Sequence, residues 1–62
     1  MRGTLIKKTR LALALSMEAL ARAAELTAET VSRAETGGPV AEVSAAKIAK
    51  ALRMELDEIR FS

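Results

Sequence analysis

The chain has 62 residues, ten basic and eight acidic side chains, a formal charge of +2 and an apolar half, which bounds it to one small domain with one core. It has no cysteine and no histidine, which excludes a disulfide framework, thiolate metal sites and the usual general base. The longest uncharged apolar run, Leu11 to Leu15, falls far short of the roughly 20 residues a membrane helix needs, and nothing at the N-terminus resembles a cleavable signal.

Five helical segments are predicted. The first spans about Thr4 to Ala14, with Ile6, Arg10 and Leu13 on one face and Thr9 beside them. Residues 11–15 alternate in a strand-like way, but they contain no β-branched residue, and Leu and Ala favour helix. Ser16 is placed as N-cap of a second helix, Met17 to about Ala23, because its hydroxyl can accept from an orphan amide. Glu18 then agrees in sign with the helix dipole. Thr27 repeats that logic for a third helix, Ala28 to about Glu35, with Thr30 three residues on in place of a full capping box. Gly37 stops it, because glycine takes the left-handed conformation without strain.

Gly38 to Val43 is expected to be a loop, with Pro39 also able to open an early helical turn. Ser44 is the expected cap of a fourth helix ending near Leu52, with Ala45, Ile48, Ala49 and Leu52 as its buried stripe. A fifth helix is expected over Leu56 to Arg60, where Leu56, Ile59 and Phe61 close the core. Small apolar residues at Leu20, Ala21, Ala24, Val31 and Ala34 sit where two helices must cross closely, which is the helix-turn-helix layout, at about residues 16–36.

The alphabet is reduced. Asn, Gln, His, Cys, Trp and Tyr are absent and thirteen residues are alanine. Optimising helix propensity and burial produces such a composition, as does an Ala-rich protein from a high-GC genome. The basic residues are scattered over the chain, which describes a mixed surface more than a basic binding face.

In its ordered motifs the chain resembles the phage lambda repressor and Cro family of small helix-turn-helix DNA-binding domains (XRE type). The resemblance runs from about Leu5 to Ile59. It rests on Ser16 followed by Glu18-Ala19-Leu20-Ala21, on Thr27 followed by Thr30-Val31-Ser32-Arg33, on Glu35 and Gly37, on Ile48 to Leu52 and on Leu56 to Ile59. It implies an all-α, five-helix, lambda repressor-like domain in which Arg10 and Glu35 pair across the first and third helices. Physical chemistry supports the same pair, since an Arg on an inner helix face needs an acid.

The positions that would face DNA by this resemblance are Met17, Thr27, Ala28, Glu29, Thr30, Ser32 and Arg33, and several depart from the family pattern. Met17 replaces a phosphate-clamping Gln and cannot donate a hydrogen bond. Glu25 replaces a turn glycine and must accept an unusual backbone angle. Ala28 can touch only a thymine methyl, and Glu29 brings negative charge to an anionic groove. The loop Pro39 to Val43 lacks the basic residues common in relatives.

Losing about three base contacts, at roughly 1–3 kcal/mol each, removes most of the gap between specific and non-specific binding. The expected function is therefore a lambda repressor-like scaffold, favoured as a designed one, without specific operator recognition. Weak, salt-sensitive DNA binding would survive through Lys7, Lys8, Arg10, Arg33 and the amides opening the second helix. The alternatives are a sequence-specific dimeric repressor reading bases through Glu29, Thr30, Ser32 and Arg33, and a protein-interaction module built on Val40, Val43, Met54 and Phe61. An enzyme is not expected, since Ser16, Ser32, Ser44 and Ser62 have no histidine to activate them, and no cofactor or metal is expected. No membrane partner is expected. A monomer is favoured over a dimer, because Arg53 and Arg60 would repel across the two-fold interface that relatives use. A natural chain of this kind would be cytoplasmic, whereas a designed one has no location of its own.

Overall fold

In the computed structural model, which describes residues 1–60, the chain forms α1 (Gly3–Ala12), α2 (Met17–Ala23), α3 (Ala28–Glu35), α4 (Glu42–Ala51) and α5 (Leu56–Arg60). There is no strand among the described residues. Helix α3 packs on α1 and α2, α4 on α2 and α5, and α5 returns to α1. At the centre lie Ile6, Leu20, Ala21, Ala24, Val31, Ala34, Ile48, Ala49, Leu52 and Ile59. Alanines at the crossings have no side-chain bulk to keep the backbones apart, and larger aliphatics fill the space between them.

Two of the expected caps form. The Ser16 hydroxyl accepts from Ala19 N at 3.0 Å and the Thr27 hydroxyl accepts from Thr30 N at 3.2 Å. The α4 stripe Ala45, Ile48, Ala49 and Leu52 is buried as predicted. Ser44, however, is not a cap. Helix α4 starts three residues earlier, after Ala41, and Ser44 lies inside its first turn. The extended Ala41 backbone (φ −57°, ψ 145°) takes the N-cap position, and its carbonyl accepts from Ala45 N at 2.9 Å. Glu42 then supplies the negative charge that the helix start favours. Pro39 opens no helix and stays in the connecting loop.

Helix α1 also differs from expectation. It ends at Ala12, so Leu13 is its C-cap and leaves the inner face, with 48% of its surface exposed. Ala14 takes φ 58° and reverses the chain. Phe61 lies outside the described residues. Val40 and Met54 pack against the core, and Val43 is exposed, so these three do not present one shared apolar face.

One device ends four of the five helices. At each end the amide two residues beyond the C-cap bonds back five positions, and the amide before it bonds back to the next carbonyl. The first kind is Leu15 N to Arg10 O, Leu26 N to Ala21 O, Gly38 N to Arg33 O and Met54 N to Ala49 O, at 2.7–3.1 Å. The second kind is Ala14 N to Leu11 O, Glu25 N to Arg22 O, Gly37 N to Ala34 O and Arg53 N to Lys50 O, at 3.0–3.2 Å. These are Schellman motifs, and their pivot residue must be left-handed. Gly37 meets the requirement at φ 79°, while Ala14, Glu25 and Arg53 are forced to φ 58°.

Candidate nucleic-acid interface

The layout of α2 and α3 follows from their termini. Ser16 and Thr27 start the helices, and the left-handed Glu25 turns the chain between them within four residues. Leu20, Ala21 and Ala24 of α2 are buried together with Val31 and Ala34 of α3. That packing commits one side of α3 to the core and turns Glu29 and Arg33 outward.

The inner side of α3 is locked by a buried ion pair. Arg10 Nε donates to Glu35 Oε2 at 2.6 Å and its Nη2 donates to Glu35 Oε1 at 3.2 Å. The two side chains are 7% and 5% exposed. Arg10 Nη1 donates to the Leu15 carbonyl at 2.8 Å. One guanidinium thus ties the α1–α2 turn to the end of α3, and its fork matches the carboxylate two-on-two. The hydrogen bond to Glu35 raises the Arg10 pKa above its ordinary value and burial opposes it, so the charge persists at any pH the fold experiences. Arg10 is therefore spent on the fold and is not available to a phosphate, which corrects its expected part in DNA contact.

The sequence-predicted contact residues separate into two groups. Met17 and Ala28 are half-buried and pack against the core. Thr27 and Thr30 are engaged with each other at the α3 start, their hydroxyls 3.0 Å apart. Ser32 is half-buried. Glu29 and Arg33, one helical turn apart, come together outside. Arg33 Nη2 donates to Glu29 Oε1 at 3.2 Å, with the side chains 50% and 79% exposed.

Charge on this side is adverse to DNA. Between Arg22 and Lys47 the only basic residue is Arg33; of the four acids in that stretch Glu35 is buried against Arg10 and Glu42 pairs with Arg60 at 3.0 Å, which leaves Glu25 and Glu29 against Arg33. Exposed Lys7 and Lys8 on α1 and Arg22 on α2 supply cations elsewhere. The described residues hold no group of three or more carboxylates, cysteines or histidines that could hold a metal ion, and no helix among them is long and apolar enough to cross a membrane.

Two positions escape sequence reasoning. Gly3 is buried where α1 crosses α3, and a Cβ there would overlap the carbonyls of Glu35 and Ala34. A glycine in the first turn of a helix in such an alanine-rich chain was the available signal, since alanine there would favour helix by about 1 kcal/mol. Gly38 is the other. A Cβ there would stand 2.9 Å from Arg33 Cγ, so the arginine stem lies across it.

Capped helices, a tight left-handed turn and an outward-facing third helix define a helix-turn-helix domain, a fold of the DNA-binding type. A family model described as helix-turn-helix matches residues 6–59, and the chain belongs to that family, the lambda repressor-like type that its motifs resemble. No curated protein and no solved structure matches it significantly.

Proposed function

We propose that this chain is a lambda repressor-like domain that engages duplex DNA weakly and with little sequence discrimination. The observation that carries this reading is the outer face of α3, whose one arginine is held by Glu29 and whose neighbours are small or half-buried. Direct readout needs side chains that donate or accept in pairs at base edges. Ala28 offers none, and Ser32 and Thr30 offer single hydroxyls. Lys7, Lys8 and Arg33 supply about two to three phosphate contacts, for a salt slope of about −2 to −3 and a Kd of about 10⁻⁴–10⁻⁶ M. This function is the same whether the alanine-rich composition arose by design or by descent.

Fluorescence anisotropy on a phage-type operator duplex and a scrambled duplex, at low and physiological salt, tests the reading. Equal binding to both that disappears with salt is expected. Tight binding to one sequence that survives physiological salt would make the chain a specific repressor and overturn the proposal. Sedimentation at several concentrations tests the accompanying proposal that the chain is monomeric, with a constant mass near 6.6 kDa expected.

A further inference from the structure

We infer that Glu29 is an internal competitor for Arg33, a built-in substitute for phosphate that holds the one cation of the α3 face away from DNA. The inference rests on the DNA-binding reading above and adds a positioning residue to it. Three observations converge. Arg33 is the single basic residue across α3, the following loop and the start of α4. Its guanidinium donates to the Glu29 carboxylate at 3.2 Å. Its stem passes over Gly38, where an added Cβ would stand 2.9 Å from Arg33 Cγ. The Arg33 carbonyl is fixed too, accepting from Gly38 N at 2.9 Å and from the Thr36 hydroxyl at 3.0 Å. The backbone is therefore fixed, the stem has room over Gly38, and the guanidinium has a choice of partner.

That choice lies between two anions of similar chemistry. A carboxylate one turn away is present at high effective concentration, while a DNA phosphate or guanine edge must arrive from solution. The pair is half-exposed, so water and salt weaken it and a ligand able to accept two hydrogen bonds can displace it. The consequence is an α3 face whose contact with arbitrary duplex is weakened by the competing carboxylate. Contact through Arg33 begins only when the guanidinium leaves Glu29.

Glu29→Gln removes the competing charge and keeps the side-chain length. With a scrambled 20-base-pair duplex at low salt, the variant is expected to bind about two- to threefold more tightly than the parent chain, the gain that removing a competitor worth about 0.3–0.5 kcal/mol allows, with a salt slope steeper by less than about one. Arg33→Ala and the double variant close a thermodynamic cycle. In the Arg33→Ala background, Glu29→Gln is expected to leave affinity essentially unchanged. An equal gain in both backgrounds would mean that Glu29 merely repels the phosphates, which overturns the competition. No gain in either, with the parent chain still binding, overturns it as well. If neither the parent nor Glu29→Gln binds duplex at the lowest salt, the DNA-binding reading fails and takes this inference with it. Circular dichroism of each variant confirms that the helices are intact.

Discussion

Helix α3 carries two arginine–glutamate contacts of the same chemistry on opposite sides. On the inner side Glu35 meets Arg10 from α1 through two hydrogen bonds, both side chains nearly excluded from water. On the outer side Glu29 meets Arg33 through one, both side chains largely in water. Burial decides what each pair does. Charges removed from water must be matched almost completely, so breaking the inner pair strands an ion in the core. Charges left in water were never desolvated, so the outer pair opens at little cost and is worth little to stability. The inner pair fixes where α3 lies, and the outer pair leaves its arginine exchangeable.

The largest effect should come from the inner pair. Arg10→Ala leaves Glu35 buried without its partner and is expected to cost about 3–5 kcal/mol. Total stability for 62 residues is only about 3–9 kcal/mol, so urea unfolding followed by circular dichroism should find this variant stripped of between about a third and all of its stability. The double change Arg10→Met, Glu35→Leu removes both charges and should recover most of the loss. An unchanged melting temperature for Arg10→Ala would contradict the burial. Gly3→Ala attacks the same contact through the backbone. Its new methyl must push α1 off the α3 carbonyls that Gly3 touches, and overpacking of this kind costs about 1–3 kcal/mol.

Smaller effects come from the ends of α2 and α3, which aim the outer face. Thr27→Ala deletes the hydroxyl that accepts from Thr30 N and should cost about 1 kcal/mol. Glu25→Gly should act in the opposite direction. The left-handed pivot strains any residue with a Cβ, and glycine relieves it at some cost in unfolded-chain entropy, for a net gain of about 0.5–1 kcal/mol. A loss of stability in this variant would show that the turn draws on the Glu25 side chain.

These ends also show where sequence reasoning works. Ser16, Thr27 and Gly37 were legible because each has a local job that its own chemistry announces: a hydroxyl beside orphan amides, or a residue without a Cβ at a chain reversal. The α4 stripe was legible because helical periodicity carries it. Glu25 was legible through the angle the turn would demand of it. Ser44 misled for the reason Ser16 did not. A hydroxyl before an apolar stripe is a cap only if the chain is extended there, and Ala41 had already taken that conformation. Leu13 misled because α1 was carried as far as Ala14, a left-handed alanine that composition gave no reason to expect, whereas the helix ends at Ala12. The inner pair was predicted both from the need of a buried arginine for an acid and from the family resemblance. The outer pair was not predicted, although Glu29 and Arg33 stand at the spacing that places them side by side on a helix. Sequence reasoning weighed each against DNA and not against the other.

The smallest stability effect belongs to the outer pair, and it separates the two sides of α3 most directly. Arg33→Ala removes an exposed partner, and a half-exposed pair one turn apart is worth about 0.3–0.5 kcal/mol. The remaining Glu29 is hydrated and sits in the first turn, where the helix dipole favours its charge. Its loss of partner therefore leaves nothing stranded, in contrast to Glu35 after Arg10→Ala. The expected result is an unfolding free energy within about 0.5 kcal/mol of the parent chain, read in the same urea titration that finds Arg10→Ala strongly destabilised. A loss of more than about 1 kcal/mol would mean that the Arg33 stem across Gly38 contributes packing, and α3 would then be held from both sides.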